Sequence, residues 1–275
     1  MFFNSLLKNK QMKLFDPVIK LFKKETSAHI ALVLSGGGAR GAIHLGVLQA
    51  LIENEIEIKA IAGTSIGSII GAFFAAGVSP LEMKKIMAGQ NFIKIFHFSW
   101  NSKGLLTMER LYELLEKHIG NDSFDALSVP FYVCASNLDT GTYDIFHKGL
   151  LYKAVAASAS IPILFEPVEI NGFHYIDGGL FNNLPVEPLL KKYDNILGVH
   201  VNNYEPSHEL NMKAIAERIF TLVIQQNVVS NLKKCDYVIN PRLKVPYSII
   251  DFSKTDVLYQ IGYEAGIEFI RKKLS

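Results

Sequence analysis

Three features are scarce in this sequence: cysteine, net charge and long apolar runs. The 275 residues include two cysteines, Cys134 and Cys235, too few for a disulfide framework and without metal-ligand spacing. A formal net charge of +2 argues against a nucleic-acid binder that neutralises phosphates. No apolar run reaches the roughly 18 residues that a membrane-spanning helix needs. The scarcity of cysteine favours a reducing compartment, and we expect a cytoplasmic protein.

The N-terminal segment, MFFNSLLKNKQMKLFDPVIKLFKKE, is basic and amphipathic. Its phenylalanine and leucine side chains fall on one helical face, and it contains six lysines before Glu25. Lysines interrupt the apolar stretch throughout, so it lacks the core of a signal peptide. Two alternatives stay open for residues 1–24. They form a helix on the inner face of the membrane, or a helix packed on the body or on a second subunit of a homodimer.

From His29 onwards the sequence predicts alternating strands and helices. HIALVLSGGGARGAIHLGVLQALIENE reads as strand, glycine turn and helix, and IKAIAG, GTS and IGSIIGAFFAAG repeat that order. Continuously apolar strands are typical of a buried parallel sheet with right-handed crossovers. We therefore expect an α/β fold with a mostly parallel central sheet and helices on both faces. The division is an N-terminal extension, residues 1–28, and one domain, residues 29–275.

The second half of the chain continues the pattern less regularly. FYVCASNL, GTYDIFHK, NILGVHVN and YVINP read as strands, and Asn171-Gly172 predicts a hairpin turn. PVEPLLKKY, the region around residues 210–232, and residues 256–273 read as helices.

GTSIG, residues 63–67, places one serine between two glycines. Ser65 follows an apolar strand and precedes an apolar helix, the context that a nucleophile elbow requires. Gly63 and Gly67 supply the small neighbours that such a strained turn needs. The free N–H groups of the helix N-terminus would lie beside the serine oxygen. A small serine in a tight loop is the alternative.

GGGARG, residues 36–41, fits two different uses. Gly36, Gly38 and Gly41 match a dinucleotide-binding loop, which would make the protein a nucleotide binder. A dinucleotide site requires an acidic residue at the end of the second strand to bind the ribose hydroxyls, and GTSIG occupies that position here. The other use is an oxyanion hole, in which glycine N–H groups point at a developing alkoxide and Arg40 adds positive field.

A serine nucleophile also needs a base, and two candidates remain. Asp177 ends an apolar run and is followed by Gly178 and Gly179, in IDGG, which by itself is typical of a turn. His200 follows Asp177 in the order of a histidine-dependent α/β-hydrolase, although that fold places its elbow after more strands than precede GTSIG here.

Together, GGGARG, GTSIG, DGG and the stretch ASASIPILFEP make the sequence similar to the patatin-like phospholipase family of serine lipid hydrolases, especially its compact bacterial members. The resemblance runs from about His29 to Val201 and implies a three-layer α/β fold. One departure is DGG where the family often has DGA, which puts glycine at position 179.

The resemblance implies a Ser–Asp dyad that cleaves carboxylic esters of acyl lipids without metal or cofactor. Ser65 would be the nucleophile and Asp177 the base. The oxyanion element would be Gly36, Gly37, Gly38 and Arg40, and the remaining motif glycines would be Gly41, Gly63, Gly67, Gly178 and Gly179. An acyl pocket would need an apolar lining, for which Phe73, Phe74 and the aromatic segment 92–100 are candidates, although ordinary core is the favoured interpretation of each.

Overall fold

The computed structural model describes residues 29–89, 92, 106–203, 212–245 and 247–273, so the N-terminal segment lies outside them. The strands are β1 (His29–Leu34), β2 (Glu57–Thr64), β3 (Phe131–Asn137), β4 (Thr142–Phe146), β5 (Val168–Ile170), β6 (Phe173–Asp177), β7 (Ile196–Val199) and β8 (Tyr237–Ile239). The α-helices are α1 (Ala42–Glu53), α2 (Ile66–Ala75), α3 (Pro80–Ala88), α4 (Glu109–Ile119), α5 (Leu151–Ala159), α6 (Met212–Leu232) and α7 (Thr255–Lys273).

The described strands form one mixed sheet in the order β5-β6-β3-β2-β1-β7-β8, with β4 paired to β3 outside that path. β1 runs parallel to both β2 and β7, and its last residue, Leu34, lies opposite Gly63 on one side and Val199 on the other. The carboxyl ends of these three strands therefore meet at one end of the sheet, where open α/β sheets place their ligands. The mostly parallel sheet is confirmed.

One side of β3 is shared by two strands that approach each other end to end. Thr64, the last residue of β2, pairs with Cys134, and Asp177, the last residue of β6, pairs with Ala135. β2 is parallel and β6 antiparallel to β3, while β4 pairs along the same stretch of β3. The topology thus brings the ends of β2 and β6 together, and with them Ser65 and Asp177, which are 112 positions apart in the sequence.

Alternate residues of β1 face two different apolar clusters. Ile30, Leu32 and Leu34 belong to the larger cluster, which includes side chains of α1, α2, α5 and α7. Ala31 and Val33 belong to the smaller one, with side chains of α6. Because successive strand residues point to opposite faces, a continuously apolar strand buries both. Helices cover both faces, as the sequence predicts.

The hairpin predicted at Asn171-Gly172 is confirmed, whereas the helix predicted for PVEPLLKKY is not. Asn171 and Gly172 join β5 to β6 with φ of 52° and 84°, the positive values of a tight hairpin turn. The predicted helix over 185–193 is wrong: residues 187–192 form turns instead. Pro188, at the fourth position of the predicted helix, lacks the N–H that would bond the preceding turn.

Candidate active site

Ser65 occupies a sharp turn between β2 and α2. Its backbone has φ 55° and ψ −125°, a combination that residues with a side chain rarely adopt. A Cβ on Gly63 would collide with the carbonyl of Gly67, and one on Gly67 with the carbonyl of Leu34. The two glycines are therefore required by close backbone approach. The strained serine between strand and helix has the geometry of a nucleophile elbow.

The end of α5 holds the turn in place. The N–H of Ser65 donates to Oγ of Ser158 at 2.9 Å, and the Ser158 hydroxyl donates to the carbonyl of Cys134 at 2.6 Å. Two residues later, the carbonyl of Ser160 accepts the N–H of Asp177 at 2.8 Å. The segment 158–160 thus fixes both Ser65 and Asp177. The sequence indicated this segment only as part of the stretch ASASIPILFEP and predicted no role for its serines.

Asp177 ends β6 with its carboxylate against Ser65. Ser65 Oγ donates to Asp177 Oδ2 at 2.5 Å, and the N–H of Gly179 donates to Oδ1 at 2.7 Å. The residues after Asp177 form a tight 3₁₀ turn, and a Cβ on Gly178 would collide with the carbonyl of Cys134. DGG is therefore a turn, as its composition suggests. The turn directs the Asp177 carboxylate towards Ser65.

The surroundings make Asp177 a stronger base than an ordinary aspartate. Its side chain is 2% exposed. Burial raises the pKa of Asp177 from 3.8 to about 6, while the hydrogen bonds from Ser65 and Gly179 lower it in part. A base gains efficiency as its pKa approaches the working pH.

The glycine loop after β1 lies beside Ser65 and is partly occupied by internal bonds. The N–H of Gly36 donates to Oδ1 of Asn183 at 3.1 Å, so it is not free for a ligand. Within the described part of the chain, the N–H groups of Gly37 and Gly38 make no hydrogen bond to protein acceptors. Gly38 has φ 57°, and a Cβ there would collide with the carbonyl of Ile249. Gly37 and Gly38 are thus the donors the loop can offer.

Arg40 and two asparagines shape this loop. Arg40 is buried, lines the same cavity as Ser65, and donates from Nε to the carbonyl of Gly37 at 3.3 Å. Nδ2 of Asn202 donates to the carbonyl of Gly36 at 2.8 Å. Sequence reasoning missed Asn183 and Asn202, because an asparagine far along the chain carries no local signal of the loop it will meet.

The structure does not place His200 as the base. Its Nδ1 bonds Oδ1 of Asn240 at 3.1 Å, whereas Ser65 donates to Asp177 directly. Burial lowers the pKa of His200 to about 4, and that of His44 likewise to about 4. Both histidines are therefore neutral near pH 7.

A narrow cavity opens in front of Ser65. It holds about 20 Å³ of water-accessible space, which is room for about one water molecule. Ile161, Ile224 and Ile249 line it, together with the glycine loop and Asp177. Apolar side chains and converging polar groups thus meet in front of Ser65, in a space far smaller than an ordinary ligand pocket.

Two of the acyl-pocket candidates do not line the cavity at Ser65, in agreement with the alternative that they are core residues. Phe73 is buried in the core, and Phe74 lines a surface groove near the amino end of β2. Both lie about 12 Å along α2 from Ser65, at its rise of about 1.5 Å per residue. Phe92 packs on a phenylalanine that precedes α7, and residues 93–100 lie outside the described residues.

Neither a metal centre nor a membrane span is found in the described part of the chain. Its histidine, cysteine and carboxylate side chains form no group of three or more that could hold a metal ion. None of its helices combines the length and apolar composition that a bilayer crossing requires.

Known proteins resemble this chain in sequence and in fold. A family model described as patatin-like phospholipase matches residues 32–190. The lysophospholipase NTE1 of Candida glabrata is 29% identical over 93% of this chain and 17% of its own length. An uncharacterised NTE family protein of Mycobacterium bovis is 30% identical over 75% of this chain and 59% of its own.

The chain therefore spans less than two thirds of either relative. The crystal structure of VipD from Legionella pneumophila shares the fold, with a TM-score of 0.60 at 14% identity, over 90% of this chain and 67% of VipD. The matched residues include the glycine loop, the Ser65 turn and Asp177. On the family match over more than half of its length, this chain belongs to the patatin-like phospholipase family.

Proposed function

We propose that the protein is a serine hydrolase that cleaves carboxylic esters of phospholipids or related acyl lipids through Ser65 and Asp177. The observation that carries the proposal is the 2.5 Å hydrogen bond from Ser65 Oγ to Asp177 Oδ2 beside the glycine loop. Family membership supports an acyl-lipid substrate. A dinucleotide site receives no such support, because β2 ends in the Ser65 turn rather than in an acidic residue.

In the first half of the reaction, Ser65 Oγ attacks the ester carbonyl carbon and its proton passes to Asp177 Oδ2. The developing oxyanion accepts hydrogen bonds from the N–H groups of Gly37 and Gly38, and Arg40 adds positive field. The tetrahedral intermediate collapses to an acyl-serine as the C–O bond breaks, and the leaving alcohol takes the proton from Asp177.

In the second half, Asp177 accepts a proton from water while that water attacks the acyl-serine. Collapse of the second tetrahedral intermediate releases the fatty acid, and Ser65 regains a proton from Asp177. Each step uses groups of this chain and water alone.

We propose further that residues 29–275 form the catalytic domain and that residues 1–24 contact the inner face of the membrane as a peripheral helix. The lysines and the apolar face of this segment support membrane contact. The unpaired Cys134 and Cys235 support a reducing compartment, the cytoplasm. Packing of the segment on the body, or in a homodimer, is the competing proposal.

The dyad is tested by substitution. We expect Ser65→Ala and Asp177→Asn each to lower kcat for a soluble p-nitrophenyl ester by about 10⁴-fold or more, the usual loss when a member of such a unit is removed. A fluorophosphonate should label Ser65, with the adduct mapped by peptide mass spectrometry. His200→Ala is the control and should keep most activity.

Two results would contradict the proposal. If Ser65→Ala retained turnover, Ser65 would not be the nucleophile. Loss of turnover in a correctly folded His200→Ala variant, checked by circular dichroism, would shift the assignment to a Ser-His-Asp triad.

A further inference from the structure

Helix α6 carries apolar side chains on the side that faces solvent. Met212 is 88% exposed and Ile219 59%, and Ile215, Leu222 and Val223 are exposed as well. At about 100° per residue, these five positions lie within an arc of about 100°. Among the side chains of α6 that the structure describes, none on this arc is charged. Exposed apolar side chains grouped on one side of a helix are typical of an interaction surface.

The opposite side of α6 closes the catalytic cavity. Thr221 and Ile224 are buried and line that cavity with Ser65 and Asp177. The exposed apolar face and the reacting groups are thus on two sides of one helix, separated by about 10 Å, its approximate diameter.

Ile163, outside α6, is another exposed apolar side chain near the cavity. Ile163 is 80% exposed and has φ 72°, a backbone conformation that is costly for a β-branched residue. It follows Ile161, which lines the cavity, by two residues. A strained, exposed isoleucine contributes little to the core, so its side chain is free to contact a partner.

The cavity cannot hold an acyl chain as it stands. Its water-accessible space of about 20 Å³ fits about one water molecule. An acyl ester therefore reaches Ser65 only when a wall of the cavity shifts, and α6 supplies part of that wall.

We propose that the exposed face of α6, formed by Met212, Ile215, Ile219, Leu222 and Val223, together with Ile163, docks on a phospholipid bilayer. The inference rests on the proposed acyl hydrolase function. The face is apolar and uncharged, so transfer of its side chains out of water drives the docking. The bilayer is the occupant because the other side of α6 lines the cavity that holds Ser65, where an acyl lipid must bind. A second copy of this chain on the same face would cover α6 instead.

Paired variants of the full-length protein test the surface. Ile215→Gln/Ile219→Gln removes two exposed apolar side chains that do not line the cavity. Ile52→Gln/Leu81→Gln is the matched control, because those two exposed residues border the groove near the amino end of β2. Each variant is assayed for pelleting with phosphatidylcholine vesicles, hydrolysis of vesicle lipid, hydrolysis of a soluble p-nitrophenyl ester, and oligomeric state.

We expect the α6 variant to lose vesicle binding and vesicle hydrolysis by roughly tenfold or more, from the apolar transfer that two isoleucines forfeit. Its soluble-ester rate should stay within about twofold of the unmodified protein's, and the control variant should match that protein in every assay. Pelleting should be insensitive to salt, because no charge on the face takes part.

Vesicle binding unchanged in the α6 variant, or lost equally in the control, would overturn the inference. A shift from dimer to monomer with vesicle binding intact would instead assign the face to a second copy. If the unmodified protein pellets but hydrolyses neither ester, the proposed hydrolase function fails while the docking surface stands.

Discussion

Asp177 concentrates the chemistry of the site in one side chain. Catalysis by this residue requires its ionised form, and burial raises its pKa to about 6. We therefore expect kcat/KM for a soluble ester to fall as pH drops through about 6 and to be level above it. Burial lowers the pKa of His200 to about 4, so a histidine base would place this limb near pH 4. A pH–rate profile measured between pH 4 and 9 separates the two.

The same pKa affects stability in the opposite direction. The folded protein binds the Asp177 proton more tightly than the unfolded chain, with pKa values of about 6 and 3.8. The stabilisation from that proton is complete below pH 3.8 and is lost as pH rises through 6. The charged carboxylate then costs on the order of 3 kcal/mol.

Asp177→Asn should therefore gain stability relative to the unmodified protein as pH rises from 5 to 8, measured by urea unfolding at each pH. Asparagine can accept from Gly179 and donate to Ser65, so the geometry is retained. A stability difference that does not change with pH would show that Asp177 is not buried as a charge.

At the scale of elements, the end of α5 joins the two halves of the site. Ser158 accepts the N–H of Ser65 and donates to Cys134, and it is fully buried. Ser158→Ala leaves both groups unpaired, which should lower the free energy of unfolding by about 2–4 kcal/mol. Loss of the bond that holds the strained turn should also lower kcat more than it raises KM.

Ser160→Ala is the matched control for this prediction. Ser160 is equally buried, but its hydroxyl donates to the carbonyl of Ala156 in the preceding helical turn, and the backbone carbonyl that binds Asp177 remains. Steady-state kinetics and urea unfolding of both variants decide the matter. Equal kcat in the two variants would show that Ser158 contributes to packing but does not position Ser65.

At the scale of the whole molecule, two regions are proposed to contact lipid: the exposed face of α6 and the lysine-rich residues 1–24. Deletion of residues 1–24 should weaken pelleting with anionic vesicles, since each lysine near such a surface contributes about 1 kcal/mol. That attraction should decline as salt rises, and hydrolysis of a short soluble ester should stay nearly intact.

If residues 1–24 instead pack on the body or on a second subunit, the deletion lowers the melting temperature or breaks a dimer and slows both substrates alike. Vesicle pelleting, soluble-ester kinetics and a melting curve of the truncated protein distinguish these outcomes. Undiminished pelleting on anionic vesicles would end the membrane-helix proposal.

Features that depend on a few neighbouring residues could be predicted from the sequence. The strand–turn–helix around Ser65, the glycine loop after β1 and the hairpin at Asn171 all follow from local backbone requirements. The helix predicted over 185–193 failed because apolar spacing alone does not distinguish a helix from buried turns.

By itself, the sequence determined the alternation of strands and helices, the turn at Ser65 and the hairpin turn at Asn171, since backbone sterics act over a few residues. The tertiary structure decided which distant groups meet. Ser65 reaches Asp177 because β2 and β6 share one side of β3. Gly36 is occupied because Asn183 lies beside it, and α6 rather than Phe73 closes the cavity. Such contacts depend on long-range packing, which no local pattern encodes.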